Sequence, residues 1–549
     1  MKKFCWLFVF VPWVIKARRV VLWEEYSNNS LVDEERRLDV RKRPSVALPA
    51  SPLSKDEHLV ASLPGLHSWQ GGAHWAGMLE SEDGGRIFYW FFEMEKKSQD
   101  APWLIWLNGG PGCTSMDGLF LENGPFHAPK KNGDIELRQS SWHKFAHVLY
   151  IDQPIGTGFS WSRNNNFCRN DNCIGHHFKQ FLRRFAYLHS ELVLLKNQKK
   201  SIPLFFSGES HAGHYVPLFV HELWQDEIYE WDIRGIALGN AWIEPRYQYD
   251  VSRHAFALGL INAQEFQKLK IAETTCQTAL DHKQYLSKAC WNLLDDALRA
   301  TAQNNKHHLK ANMYDSRDSV RSTAFFPPGH EAVEKWMNLP TIRAALHIDA
   351  QAPRFQECAN PPYNALKHQD GLGVATALSA ILDNKRPSKQ QNNRPIRTLF
   401  YNGQYDLICN HAGVHRSLGL LPWRGAATFI QKNYKPWRRA NGAPPAGYLL
   451  ETGTLALVLV ADAGHMVPMN QPEVAFDMIS RFISFALGSY NTLADSFNYN
   501  ASPKNKFSPE HICIDRCGSL RNLPLVAKKF KRSSGTSSQS YFNATLAFR

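Results

Sequence analysis

The chain has 549 residues with 44% hydrophobic content, enough apolar material for one large domain or two ordinary ones. Its formal net charge of +13 is concentrated in the flanks, at Ala17-Arg18-Arg19, from Glu35 to Arg43 and from Lys528 to Arg532. No nucleic-acid motif accompanies these runs, so they read as solvated arms and speak against a nucleic-acid partner.

Met1-Lys2-Lys3 followed by an apolar run from Phe4 to Ile15 predicts a secretory signal peptide over residues 1–16. A small-residue cleavage pattern is missing after Ile15, and a buried N-terminal strand is the other reading. No later stretch reaches about 18 uninterrupted apolar residues, so no stable membrane anchor is predicted. Residues 17–60 are charged and without apolar periodicity, as suits a pro-segment or mobile arm. Short apolar runs from Arg86 to Glu93, Pro102 to Asn108 and Ala146 to Asp152 predict core strands. Helical spacing from Phe178 onward leads into another apolar strand, Ile202 to Gly208. Strand, helix and strand in that order predict a parallel sheet with crossover helices. Residues about 243–328 turn to polar helices and predict an inserted helical cap. Strands return at Thr398 to Gly403 and Leu455 to Ala461, and an amphipathic helix from Glu473 to Phe485 closes a catalytic domain spanning 61–488. Residues 489–549 form a polar, basic tail predicted to be disordered outside the Cys513–Cys517 region.

Ten cysteines occur without Cys-x-x-Cys blocks or histidine partners, which predicts disulfides and no metal. Asn28, Asn500 and Asn543 open glycosylation triplets, a small addition to the secretory reading.

The segment Leu204-Phe-Phe-Ser-Gly208-Glu-Ser210-His-Ala-Gly213 carries an apolar strand into Gly-x-Ser-x-Gly. Glycines on either side of a serine permit a sharp strand-to-helix turn that lifts the hydroxyl out of the sheet. A serine hydroxyl is a poor nucleophile at neutral pH and needs a base with an orienting carboxylate. Asp406 and then His465 follow, each just beyond an apolar strand, and the order Ser, Asp, His is that of an α/β-hydrolase.

Taken with Trp106-Leu-Asn108-Gly-Gly110-Pro-Gly-Cys113-Thr-Ser-Met-Asp117-Gly, Ile151-Asp-Gln-Pro-Ile-Gly-Thr-Gly-Phe-Ser160, Gly239-Asn-Ala-Trp-Ile-Glu-Pro245, Asp406-Leu-Ile-Cys409-Asn and Gly464-His465-Met-Val-Pro, these motifs make the chain resemble the serine carboxypeptidases. Within that family it is most similar to the carboxypeptidase D or pheromone-processing type. The resemblance implies an α/β-hydrolase fold, a mostly parallel sheet flanked by helices with an inserted helical cap. It implies removal of C-terminal residues from peptides and proteins, without cofactor, in the secretory pathway; with no membrane anchor predicted, a soluble protein of the Golgi or vacuole lumen or a secreted one is expected. Oligomeric state stays open.

Carried over, Ser210 is the nucleophile, His465 the base and Asp406 its orienting acid, with the N–H groups of Gly110 and His211 as oxyanion hole. Asn108, Glu122 and Glu209 would hold the substrate carboxylate. Two close, desolvated acids retain a proton between them and donate it as a hydrogen bond; the bland alternative is two solvated charges. Asp117 implies a preference for C-terminal Lys or Arg, against the alternative of a helix cap. Cys113 with Cys358 and Cys276 with Cys290 resemble family disulfides, Cys409 resembles a free thiol, and Cys168 with Cys173 and Cys513 with Cys517 would be short local pairs. His211 stands where the family usually has Tyr, and Thr114 where Ser is usual. Two further readings use the same residues: an acyltransferase passing the acyl group to an alcohol, and a lumenal binding protein on a decayed hydrolase scaffold.

Overall fold

Alternation within one short strand organises the molecule. In Trp103–Leu107 every residue is buried, yet Trp103, Ile105 and Leu107 enter one apolar core while Leu104 and Trp106 enter another. A strand covered on both faces is the mark of a central, parallel position. The structure is a computed structural model that describes residues 54–498, apart from 82–83, 97, 99–100, 193–201, 303–308, 321–326 and 387–393. The expected signal peptide, most of the N-terminal arm, most of the tail, and Cys5, Cys513 and Cys517 lie outside the described residues.

The strands, in chain order, are β1 (His74–Glu80), β2 (Gly85–Phe92), β3 (Trp103–Leu107), β4 (His147–Ile151), β5 (Trp161–Ser162), β6 (Leu204–Glu209), β7 (Ile233–Gly239), β8 (Lys310–Ala311), β9 (Ser319–Val320), β10 (Arg397–Gly403), β11 (Lys435–Trp437), β12 (Gly447–Thr452) and β13 (Leu455–Val460). The main sheet runs β1-β2-β4-β3-β6-β7-β10-β13-β12-β11, with β5 on β2. Its middle, from β4 to β13, is parallel throughout, and its edges are antiparallel. This is the mostly parallel sheet that the sequence predicts.

Five helices matter for the site: α1 (Asp171–Leu188), α2 (Ala212–Trp224), α3 (Ala263–Asp281), α4 (Lys288–Thr301) and α5 (Pro472–Ala486). The Asn170 side chain accepts from the Cys173 N–H and starts α1. Helices α1 and α2 cover one face of the sheet and meet through Phe178 and Phe219, whose rings stack at 3.9 Å. Helix α5 covers the other face with Ile479 and Phe482.

Between β7 and β10 the chain is largely helical. Helices α3 and α4 are joined by the Cys276–Cys290 disulfide around a separate core that reaches Leu407. Helices continue past residue 328, from His330–Met337 to Ala375–Leu382. The insertion also holds two turns of the body. Met313 O accepts from the N–H of Leu407 at 3.0 Å, and Tyr314 O from that of His465 at 2.6 Å. Residues 54–60 and 489–498, assigned to the flanks on sequence, pack on this body. His58 is buried with Nδ1 2.8 Å from the Tyr89 hydroxyl, and Phe497 stacks on Trp437 at 4.8 Å.

Gly403 ends β10 directly under the 463–464 turn, where an added Cβ would lie 1.8 Å from Gly464 O. Overpacking of this kind costs about 1–3 kcal/mol. Gly403→Ala is therefore expected to lower Tm with far-UV circular dichroism unchanged, whereas an unaltered Tm would mean that the turn yields freely.

Candidate active site

Strand β6 delivers Ser210 to the protein surface. Ser210 is part-exposed and has φ of 58°, a left-handed conformation that costs a non-glycine residue about 1–3 kcal/mol. The flanking glycines serve as expected, by lacking a Cβ that would obstruct the turn, and neither has positive φ. A Cβ on Gly208 would meet Leu107 O at 2.5 Å, and one on Gly213 the Trp242 nitrogen at 2.9 Å. Absence of a side chain lets the turn sit close against β3 and the segment after β7.

Asp406 follows β10 and His465 follows β13. The fully buried Asp406 carboxyl accepts through Oδ2 from His465 Nδ1 at 2.8 Å and from Asn240 Nδ2 at 2.6 Å. Its Oδ1 accepts from the N–H groups of Ile408 and Cys409 at 3.0 and 3.2 Å. The His465 proton is thereby assigned to Nδ1, leaving Nε2 as an acceptor. Among the described residues no hydrogen bond joins Ser210 to His465. The Ser210 hydroxyl instead lies against the Cys409 thiol, whose Sγ is within 4.8 Å of ligating atoms of Asp406 and His465. Nucleophile–base contacts of this type commonly tighten only when substrate binds. Burial, and next the charge of Asp406, push the Cys409 thiol well up, so it is a protonated, unreactive neighbour.

Gly109 and Gly110 run beside this elbow: a Cβ on Gly109 would meet the His211 nitrogen at 2.4 Å. Gly110 is exposed. Neither its N–H nor that of His211 donates to a backbone carbonyl among the described residues.

Asn108 gathers two acids. Its Oδ1 accepts from Trp106 Nε1 at 2.7 Å and the Gly118 N–H at 3.1 Å, which fixes the amide. Its Nδ2 therefore faces Glu122 Oε1 at 3.3 Å and Glu209 Oε1 at 3.2 Å. All three side chains are buried. Glu122 ends a π-helical turn, Gly118–Glu122, of a kind that often marks functional positions. Burial pushes Glu122 up to about 7, against hydrogen bonds from Glu209 and Asn108 and the fields of His465 and Arg138. Glu209 is pushed well up, by burial first and then by the charge of Glu122. The direction for the pair is retention of a proton, carried by Glu209 and donated to Glu122.

A second acid pair lies nearby. Asp117 is buried and raised by desolvation and then by Glu357, to which it hydrogen-bonds. Burial raises Glu357 to about 8. The Asp117 side chain makes no cap bond to the following turn, which removes the helix-cap alternative. Glu357 is brought here by the Cys113–Cys358 disulfide and by its carbonyl, which accepts from the Thr114 N–H at 2.8 Å. Asp152, raised by burial to about 7, accepts from the Thr114 hydroxyl at 2.5 Å and the Ser115 N–H at 3.1 Å, steadying the same turn. Cys168 and Cys173 are also bonded, and Cys409 is free and buried. Sequence reasoning missed Asn240, Glu357 and Arg138. Asn240 sits inside a quoted motif and Glu357 beside a paired cysteine, which were the available signals; nothing marked Arg138, which donates to the carbonyls of Phe120, Gly124 and Phe126.

The model of a family described as serine carboxypeptidase matches residues 64–485. A pheromone-processing carboxypeptidase KEX1 of Phytophthora infestans is 35% identical over 446 residues, covering 79% of this chain and 72% of that protein. Serine carboxypeptidase S10 family member 2 of Dictyostelium discoideum is 32% identical over 478 residues, covering 83% and 80%. Among solved structures, the prohormone-processing carboxypeptidase KEX1(delta)p of Saccharomyces cerevisiae superposes with a TM-score of 0.69 at 26% identity, covering 79% of this chain and 97% of that one. The likeness extends to the α/β-hydrolase fold.

Because burial raises Glu122 from 4.5 to about 7, its share of stability is complete below the unfolded value and is lost as pH rises through 7. Glu122→Gln cannot ionise. It is expected to raise Tm over wild type more at about pH 8 than at about pH 4; calorimetry showing an equal or reversed difference would contradict the assignment.

Proposed function

The chain belongs to the serine carboxypeptidase family, hydrolases that act as exopeptidases, and on that premise we propose that it removes C-terminal Lys and Arg from peptides in the secretory or vacuolar pathway. The observation that carries the reading is Asn108 donating to both Glu122 and Glu209, the latter immediately before Ser210. A peptidase acting on chain ends needs a group that recognises a free carboxylate, and a proton-retaining pair of acids beside the nucleophile is one.

In this reading Ser210 attacks the scissile carbonyl carbon, and its proton passes to His465 Nε2 as the carbon–oxygen bond forms. Asp406 holds the ring in the required tautomer and stabilises the cation that results. The N–H groups of Gly110 and His211 receive the negative charge on the carbonyl oxygen; losing one such donor costs about 3 kcal/mol of transition-state stabilisation. His465 then protonates the departing amine, and water repeats the sequence in reverse to free the enzyme. Asn108 and the protonated acids hold the departing residue by its carboxylate. As Glu122 ionises, a second anion faces that carboxylate and binding weakens.

Asp117 and Glu357 support the basic preference. Two buried carboxyls that keep a proton for want of a cation would give it up to a lysine or arginine side chain, because an opposite charge within a few ångströms favours ionisation. The three disulfides among the described residues support an oxidising compartment. Among the described residues no helix is long and apolar enough to cross a membrane, which is compatible with a Golgi, vacuolar or secreted location.

A C-terminal ladder assay tests the whole reading. Peptides ending in Lys, Arg, Leu or Phe are digested across a pH range, with fluorophosphonate labelling mapped in parallel. The expected result is trimming by wild type and none by Ser210→Ala, with KM rising above about pH 7 as Glu122 ionises. Lys and Arg ends should be favoured, and Asp117→Asn should reduce that preference about tenfold. Intact wild-type protein that neither labels at Ser210 nor trims any peptide would remove the enzyme reading.

A further inference from the structure

The imidazole of His211 is only 2% exposed and is tied to a line of polar groups, some buried and some part-exposed like Asp171 and Asp370, that the proposed reaction leaves unused. Asp171, the first residue of α1, accepts through Oδ1 from Gln369 Nε2 at 2.5 Å and from His214 Nε2 at 3.1 Å. A carboxylate accepts only, so the nitrogen of the Gln369 amide faces Asp171 and its oxygen faces His211. Gln369 Oε1 then accepts from His211 Nε2 at 2.9 Å, leaving His211 Nδ1 3.5 Å from Asp370 Oδ1. The rings of His211, which immediately precedes α2, and His214 in its first turn stack at 5.2 Å, and Tyr215 meets His211 edge-on at 5.0 Å. Gln369 and His214 are fully buried. The line thus pins the start of α2 to the start of α1 and to the Lys367–Asp370 turn.

Resting on the reading of the His211 N–H as an oxyanion donor, we infer that His211, Gln369, Asp171 and His214 form a positioning chain for that donor. Ser210 has φ of 58°, so the peptide unit between 210 and 211 is held in a conformation that the backbone alone does not favour. A directed hydrogen bond on the side chain of residue 211 restrains the Cα that carries the donor. Oxyanion stabilisation depends on donors fixed before the charge develops, so loosening Gln369 weakens transition-state binding and spares ground-state binding.

The test compares two variants with wild type. Gln369→Met keeps length and removes donor and acceptor. It is expected to lower kcat about tenfold or more with KM within about twofold, and to weaken a peptide aldehyde inhibitor by the same factor while affinity for a product-like peptide carboxylate holds. Gln369→Glu, when protonated, still accepts from His211 and donates to Asp171. Once ionised it faces Asp171 and Asp370 as a third negative charge, beside His211, His214 and Tyr215, and has no proton to donate. Its activity should approach wild type at acidic pH and fall towards Gln369→Met as pH rises, more steeply than the wild-type profile. Wild-type kcat and aldehyde affinity in Gln369→Met, or a Gln369→Glu profile parallel to that of Gln369→Met, would overturn the chain while leaving a wild type that labels at Ser210 intact. Failure of wild type itself to label would overturn both readings.

Discussion

Carboxyl groups buried with few compensating cations are the constraint around which this molecule is arranged. Asp117, Glu122, Glu209 and Glu357 are each at most 6% exposed, and the fields that reach Glu122 from cationic groups are those of His465 and the buried Arg138. An isolated carboxylate in such surroundings would cost more than a typical domain's whole stability margin. The groups therefore keep protons, and a pair of this kind can donate a hydrogen bond to an anion or give up its proton to a cation. On the proposed reading, one pair meets the terminal carboxylate of a peptide and the other its side chain.

The fold makes that burial possible from distant parts of the chain. Strands β3 and β6 pair in parallel with Leu107 against Gly208, so the next residues, Asn108 after β3 and Glu209 at the end of β6, emerge side by side. The Cys113–Cys358 disulfide spans a sequence separation of 245 and carries Glu357 to Asp117. The helical insertion reaches back with the carbonyls of Met313 and Tyr314 to fix the turns bearing Asp406 and His465. The insertion is thus part of the site's scaffold, and Tyr314 stands with its ring 4.9 Å from that of His465.

Ser210, Asp406 and His465 were legible because each follows an apolar strand whose end presents it, and strand and turn chemistry are local properties of sequence. The sheet was legible for the same reason, through runs such as Trp103–Leu107 that have no polar face. The helices after residue 328 were not: a segment such as Asn360–Leu366 opens Asn-Pro-Pro, which suits a loop as well as the first turn of a helix. Glu357 had no local pattern, and its role arises only from a long-range covalent link. The glycines of Gly-x-Ser-x-Gly were recognised for the turn and for its physical reason, a close approach that a Cβ would obstruct. His211 was visible as a departure, but its partners Gln369 and Asp171 carry no motif, so their line of hydrogen bonds required coordinates.

Proton linkage of carboxylate binding is the property that most directly tests this account. Calorimetric titration of the Ser210→Ala protein with a peptide ending in leucine, repeated in buffers of different ionisation enthalpy, measures the protons exchanged on binding. Uptake of about one proton at about pH 8 and almost none at about pH 5.5 is the expected result, since Glu122 must regain its proton only where it has lost it. Tight binding at about pH 8 with no proton uptake would contradict the claim that shared protons let these acids receive an anion.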